Sequence, residues 1–492
     1  MAHQPPLPIR LDSTSNGEFA PVPVSRTIAR ANQLAAQRIA ENARRVGQGR
    51  RAFMVGVCGA ATTLLTLNEA FASQGAKGGA FELPPDAALD PQMAQAITGR
   101  EFIFDIQTHM IEAQGTAWRG GSPEAGARGL DQLRALLQLP PKQCTQGPGL
   151  WCYDAENLIK DVFLDSDTDM AVLSFVPALP DENPVSMKEA ARVRDVVAAL
   201  GDRRRLLLHA MIVPNAQPLQ RQLERMAEMH RTYGIAAWKV YPQWGPKGVG
   251  WWLDDPEVGI PFIEQARRIG VKNICMHKGL AFGGQEPRYA SCVDVGRIAR
   301  RYPDVNFIVY HSGFELTKPE GPYDPARAER GIDSLVKSLA DNGIAPNANV
   351  YAELGSTWRM VMRNPDQAAH TLGKLLRHVG NKRVLWGTDS IWYGSPQDQI
   401  QAFRAFQISA AFQERYGYPA LTPALKADVF GLNAAPVYGI DPATARRRAE
   451  ADPLGRLKAD YREDPQPSFA TYGPRNSAEW QRFCALNGDG PG

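Results

Sequence analysis

Three histidines and one aspartate stand at the ends of apolar runs in this 492-residue chain. The runs read Phe104-Asp105-Ile106-Gln107-Thr108-His109, Cys275-Met276-His277, Val309-Tyr310-His311 and Leu385-Trp386-Gly387-Thr388-Asp389. A lone histidine in such a place is ordinarily a core or loop residue. Four matching positions point instead to a shared task, because imidazole and carboxylate suit a borderline divalent cation such as zinc, with manganese or iron also served. In the first run, alternation puts Asp105, Gln107 and His109 on one face.

These side chains need a scaffold that brings distant strand ends together. Eight runs read as strands: Phe102–His109, Asp169–Val176, Leu206–Val213, Ala236–Tyr241, Lys272–His277, Asn306–His311, Val350–Glu353 and Val384–Asp389. Most are continuous and rich in Val, Ile, Leu and Phe, as in parallel strands covered on both faces. Helical segments such as Pro256–Ile269 and Cys292–Arg301 fall between them. The expected fold is therefore α/β, a (β/α)8 TIM barrel over residues 100–440, in which the C-terminal strand ends converge on one mouth. The Gly/Pro-rich insertion 113–150, with Trp118 and Arg119, is expected to sit over that mouth. The loop after the fourth strand carries Trp244, Trp251 and Trp252, which wall a pocket, cover an insertion or form a homodimer contact. Residues 73–99 read as a linker and 441–492 as a C-terminal tail on the surface.

Composition narrows the partners. Hydrophobic residues make up 44 % and charged residues 22 % of the chain, and its net charge is +3, which is globular and not polyanion-seeking. A small-molecule partner is expected, with no nucleic acid. No apolar run reaches the roughly 20 residues of a membrane span. Residues 1–72 carry paired Arg50-Arg51, a spacer, Phe53, a short apolar core and Ala70-Phe71-Ala72. That pattern reads as a twin-arginine signal segment cut before Ser73, giving a periplasmic protein. An N-terminal helix on a cytoplasmic protein is the alternative. Of the six cysteines, Cys58 lies in the N-terminal apolar run, Cys144 and Cys152 flank a Gly/Pro loop and pair if the protein is exported, and Cys275, Cys292 and Cys484 read as buried thiols.

The motifs together resemble the metal-dependent amidohydrolase superfamily. The nearest likeness is to the branch that includes aminocarboxymuconate-semialdehyde decarboxylase and resorcylate-type decarboxylases. The likeness rests on the first-strand D-x-(H/E)-x-H region, the fifth-strand His277, the sixth-strand His311-Ser312-Gly313 and Trp386-Gly387-Thr388-Asp389. It also includes Trp238-Lys239-Val240-Tyr241-Pro242 and Asn433-Ala434-Ala435-Pro436-Val437-Tyr438-Gly439. The resemblance implies one divalent metal ion held by His109, His277 and Asp389. Gln107 falls where the family places a His or Glu. A neutral carbonyl oxygen is a weaker ligand, so the departure implies looser binding, a wider open position or loss of the metal. His311 is then the base or electrostatic group beside the metal-bound water, and Asp389 also moves the proton.

The expected function is hydrolysis of a small ester, lactone or amide through metal-activated water. Decarboxylation of a small aromatic or unsaturated acid at the same site is the alternative, and a barrel that binds without catalysis is a third reading. Lys239, Glu353, Arg119 and Trp244 are the candidate substrate-binding residues. Arg359 is a further carboxylate partner, His209 reads as core, and His3, His230, His370 and His378, in helical or tail contexts, read as exposed.

Overall fold

The computed structural model describes residues 6–112, 153–179, 183–202, 204–281 and 286–486. Its centre is the expected barrel. After a short strand β1 (Gly79–Phe81) come β2 (Phe104–Thr108), β3 (Met170–Leu173), β4 (Leu206–Met211), β5 (Ala237–Val240), β6 (Asn273–His277), β7 (Asn306–Tyr310), β8 (Val350–Glu353) and β9 (Val384–Leu385). Strands β2 to β9 form one sheet in sequence order, each parallel to the next. Their side chains are almost wholly buried because helices cover the outer face and the barrel interior fills the inner one.

The ring is closed by irregular backbone. The expected last strand, Val384–Asp389, keeps its ladder only over Val384–Leu385. Beyond it, Trp386 O accepts from Ile106 N at 3.1 Å, and Asp389 N donates to Gln107 O at 2.9 Å. A bridge also joins Thr108 to Ser390. The β2 register shifts between Asp105 and Thr108, so the strict alternation expected there is broken. Both departures lie next to the residues proposed for chemistry, where bulges commonly re-aim side chains.

The segment expected to be a signal is folded onto the barrel. Helices α1 (Arg26–Arg45), α2 (Arg50–Val55) and α3 (Val57–Ser73) form an antiparallel-type pack in which Ala60, Ala61, Leu64 and Leu67 join the main core. Ser25 caps α1 by accepting from Ile28 N, and Arg44 and Arg45 lie in its last turn, favourable against the helix dipole. Gly59 permits the close approach of α2 and α3: a Cβ there would lie 2.6 Å from Phe53 O. Burying Leu64 and Leu67 contributes about 1.5–3 kcal/mol each. The linker is ordered too, since β1 pairs antiparallel with β10 (Phe406–Ile408). Among the described residues, no helix is long and apolar enough to cross a membrane.

Ahead of α1, residues 6–25 run as an extended strap between the barrel rim and the C-terminal segment. Leu7, Ile9, Leu11 and Phe19 are buried. Arg10 donates through Nε to Asp398 Oδ2 at 2.9 Å and through Nη1 to Ala470 O at 2.7 Å. Arg359 holds Asp12 at 2.8 Å and approaches Asp398 at 3.4 Å. Arg359 therefore anchors the strap and is not the carboxylate partner expected for a substrate. The tail beyond 440 is helical over Pro442–Ala451 and Pro453–Tyr461, and Asp452 pairs with Arg205 at 2.9 Å.

Cys58, Cys275 and Cys292 are buried free thiols, whereas Cys144, Cys152 and the Cys484 side chain lie outside the described residues. His209 is core as expected, with Nε2 3.1 Å from Tyr438 OH. His370, expected at the surface, is instead buried against Phe412, Tyr416 and Tyr418.

Two outcomes follow. Removing one partner of the buried Arg10–Asp398 pair leaves a charge uncompensated, so Arg10→Ala is expected to lower unfolding stability by about 3–5 kcal/mol in urea titration. Burial pushes the His370 imidazole down to about 4. The unfolded chain therefore takes up that proton first as pH falls below about 6.5, and the His370 contribution is lost between there and pH 4. Melting curves of the wild type and His370→Phe are expected to converge over that range.

Candidate metal centre

The candidate residues meet at the C-terminal mouth. They fall into two groups: one gathers on the carboxylate of Asp389, and the second is the cluster of Glu18, His277 and His311, which among the described residues includes neither His109 nor Asp389. Asp389 Oδ1 accepts from Gln107 Nε2 at 3.0 Å and lies 3.0 Å from His109 Nε2. Its Oδ2 accepts from Ser356 Oγ at 2.5 Å and from Asn16 Nδ2 at 2.7 Å. Ser356 Oγ is in turn 2.6 Å from Tyr393 OH. All six side chains are buried. Burial opposes the charge on Asp389, but the hydrogen bond and charge of His109 hold the carboxyl below the usual carboxylate range.

The two later histidines face each other across β6 and β7, with ring centroids 4.4 Å apart. Tyr241 stacks on His277 at 4.9 Å. His277 Nε2 lies 3.4 Å from Leu280 O, and His311 Nδ1 lies 2.7 Å from Gly355 O. Each ring thus directs its other nitrogen toward the mouth, the arrangement that carbonyl partners impose on ligating histidines. There they meet Glu18 of the strap: Oε1 is 3.6 Å from His277 Nδ1, and Oε2 is 3.9 Å from His311 Nε2. One atom from each of Glu18, His277 and His311 lies within 4.8 Å of the other two. Burial, then the negative charge of Asp389, pushes the Glu18 carboxyl up to about 8. Burial, then His311, holds His277 well below the ordinary imidazole range, and burial takes His311 down to about 4. The imidazoles are therefore neutral at pH 7, as a metal ligand requires.

Three backbones here are in the left-handed region: His311 at φ 61°, Ser356 at φ 52° and Asp389 at φ 60°. Such strain concentrates where surrounding contacts over-determine a site. Glu353 supplies some of those contacts. Its carboxylate accepts from His311 N at 3.1 Å and Gly355 N at 2.5 Å. Gly387 makes room for it, because a Cβ there would lie 1.7 Å from Glu353 Oε1. Glu353 thus braces the His311 turn. Asp105 likewise ties strand to strand, with Oδ1 accepting from Gln107 N and Thr388 N, both at 3.1 Å.

Lys239 is wholly buried, and its Nζ has no hydrogen-bond partner. It lies 3.5 Å above the Tyr310 ring and 4.9 Å from the Tyr241 ring. Burial takes its ammonium down to about 8. Trp244 packs at the edge of the core cluster containing Tyr241, its N bonded to Tyr241 O at 3.0 Å. Trp251 and Trp252 pack within the chain, on Phe262 and Tyr289. Arg119 and the insertion expected over the mouth lie outside the described residues.

The residues present fit a divalent cation. Gln107 Oε1, His109 Nδ1 and His311 Nε2 are buried without hydrogen-bond partners. Atoms bound to one ion at about 2.0–2.2 Å are at most about 4.4 Å apart. The Glu18 contacts at 3.6 and 3.9 Å obey that limit and are too long for hydrogen bonds. Asn16, Glu18, Ser356 and Tyr393 were not found from sequence. The first two lie in a segment that reads as removable, and the other two carry no motif.

Comparison with known proteins gives the family. The amidohydrolase family profile matches residues 168–440, more than half of the chain. No curated protein matches. Among solved structures, the chain is similar to an uncharacterized TIM-barrel protein from Bordetella bronchiseptica, with 13 % identity, TM-score 0.42, and 70 % of this chain and 99 % of that one covered. A 4-oxalomesaconate hydratase from Rhodopseudomonas palustris shows 19 % identity, TM-score 0.41 and coverage of 73 % and 100 %. A 5-carboxyvanillate decarboxylase from Novosphingobium aromaticivorans, complexed with manganese, shows 13 % identity, TM-score 0.40 and coverage of 70 % and 97 %. With the barrel, the strand-end ligand chemistry and this family match, the chain belongs to the amidohydrolase family of metal-dependent enzymes.

Proposed function

We propose that the protein is a metal-dependent hydrolase that cleaves a small ester, lactone or amide carrying an acidic group. The observation that supports this most directly is His311. Its Nδ1 is fixed on Gly355 O while its Nε2, buried and without a hydrogen-bond partner, faces the mouth. That is the placement of a general base waiting for a proton.

His109, His277 and Asp389, with Gln107 more weakly, are the residues that would hold the ion, zinc first and manganese second. When bound, such an ion polarises a substrate oxygen and lowers the pKa of a bound water from 15.7 toward about 7. His311 takes the proton from the water that attacks the substrate carbonyl carbon. Asp389, already hydrogen-bonded to four neighbours, holds the proton on its way to the leaving oxygen or nitrogen. Lys239 binds the acidic group of the substrate, since a buried ammonium among tyrosine rings is best satisfied by an anion. Glu353 keeps the His311 turn in place.

The same Lys239 also favours a second reading, decarboxylation of a small carboxylic acid, in which the carbon–carbon bond breaks and a proton replaces carbon dioxide. The two readings are separated by product analysis with a panel of esters, lactones, amides and aromatic carboxylates. Hydrolysis places 18O from labelled water in the product. Decarboxylation releases carbon dioxide and places deuterium from D2O on carbon. Label in neither product, across the panel and with zinc or manganese supplied, overturns both.

Three effects are expected. His277→Ala and Asp389→Ala abolish turnover and lower the zinc retained after gel filtration. His311→Ala lowers kcat by about 10²–10⁴-fold while zinc content is kept, the usual worth of a general base. Lys239→Met raises KM for acidic substrates roughly 10- to 100-fold, the loss of a charged hydrogen bond worth about 1.5–3 kcal/mol, and leaves neutral substrates little changed.

A further inference from the structure

We infer that the N-terminal strap is a permanent part of the enzyme and that Glu18 is a metal ligand, supplying from outside the barrel the donor that Gln107 fails to supply from β2. This inference rests on the metal-dependent reading above.

The placement comes first. Glu18 reaches the mouth because the strap is pinned on both sides of it. Upstream, Arg10 and Asp12 are held by Asp398 and Arg359. Thr14 Oγ1 donates to Thr471 Oγ1 at 2.7 Å, and Ser15 N to Pro474 O at 2.8 Å. Trp480 Nε1 also donates to Gly17 O at 2.9 Å, and Asn32 on α1 donates to Leu11 O at 3.0 Å; downstream, Phe19 is buried and Arg363 Nη2 donates to Val22 O at 3.1 Å. The turn itself is braced: Gly17 N donates to Ser15 Oγ at 2.9 Å, Glu18 N to Asn16 Oδ1 at 3.0 Å, and Ser15 Oγ to Phe19 O at 2.5 Å. Gly17 has φ 91°, which side chains other than glycine rarely adopt. The consequence is that Asn16 and Glu18 both point inward, one onto Asp389 and the other between His277 and His311.

The chemistry comes second. Gln107 is neutral, and its amide nitrogen is spent on Asp389, with the oxygen left unpartnered. A donor set of imidazoles with one carboxylate carries one negative charge. Glu18 adds the second and so balances a divalent cation. Its Oε1 lies 3.6 Å from His277 Nδ1, a ligand-sharing distance rather than a hydrogen-bond distance, while Oε2 faces His311 Nε2 at 3.9 Å. Asn16 donates to one Glu18 oxygen at 2.7 Å and thereby sets the carboxylate orientation, as ligating carboxylates are commonly held. The strap also explains why residues 26–73 are built into the core: helices that merely addressed the protein to another compartment would not need Leu64 and Leu67 inside it.

The test uses the full chain. Zinc affinity is measured by competition with a chromogenic chelator, and the cobalt-substituted protein is examined by absorption. Glu18→Gln is isosteric and is expected to weaken zinc at least tenfold and to change the cobalt d–d spectrum, with the melting temperature kept within a few degrees. Gly17→Val keeps the carboxylate but misplaces it, and is expected to weaken zinc in the same direction. The double variant Glu18→Gln/Gln107→Glu is expected to recover most of the affinity, because the second carboxylate then comes from β2. The intact mass of protein recovered from its native cells is expected to include residue 18. Wild-type protein that binds no zinc, manganese or cobalt overturns the functional reading and this inference together. Wild-type protein that binds metal while Glu18→Gln binds it as tightly, with an unchanged cobalt spectrum, overturns only this inference. So does native protein that begins at Ser73 and retains metal. A Glu18→Gln enzyme that keeps its metal and turns over faster would instead make the strap a plug.

Discussion

The carboxylate of Asp389 accepts from Gln107 on the first barrel strand, from Ser356 after the seventh and from Asn16 on the N-terminal strap, and it contacts His109 as well. A carboxylate this deeply buried stays charged only if its lone pairs are met, and here they are met from three separate parts of the chain. The barrel closure, the turn at Ser356 and the path of the strap are therefore bound into one requirement. Loss of any donor leaves a desolvated anion without full compensation, which is why the mouth is built from so many segments.

The same constraint accounts for the strain at the site. Ser356 and Asp389 take left-handed backbone conformations, as does His311 across the mouth. Each conformation re-aims a side chain that regular strand geometry would send elsewhere. Glu353 and Asp105 offset the cost by accepting hydrogen bonds from the distorted turns. Glycines at 355 and 387 leave the space that the Glu353 carboxylate and the Gln107 side chain occupy. The imidazoles of His277 and His311 then face an anion-rich centre, with the buried ammonium of Lys239 lying over the Tyr310 ring.

Much of the scaffold was legible in the chain. Eight apolar runs and their spacing identify the barrel because parallel strands buried on both faces need continuous apolar sequence. The histidines and aspartate at their ends identify the mouth because strand C-termini in this architecture converge. Boundaries were less legible. The run to Asp389 loses its ladder after Leu385, since the closing segment is held by irregular backbone hydrogen bonds and one bridge that no local pattern encodes. His370 looked exposed on its helix because the aromatic cluster that covers it comes from residues more than forty positions later.

Sequence by itself determined the kinds of groups available: neutral ligands, one aspartate, a buried-strand lysine and a glutamine where the family has His or Glu. Tertiary structure alone decided what stands beside that glutamine. Paired arginines, a short apolar stretch and small residues describe a signal segment and a packed helical hairpin equally well, because both need only a modest apolar face. In the folded chain that face packs on the barrel, and the strap ahead of it is held by long-range contacts such as Arg10 with Asp398, 388 residues apart. Those contacts carry Asn16 and Glu18 into the mouth, and no spacing along the chain could have announced them.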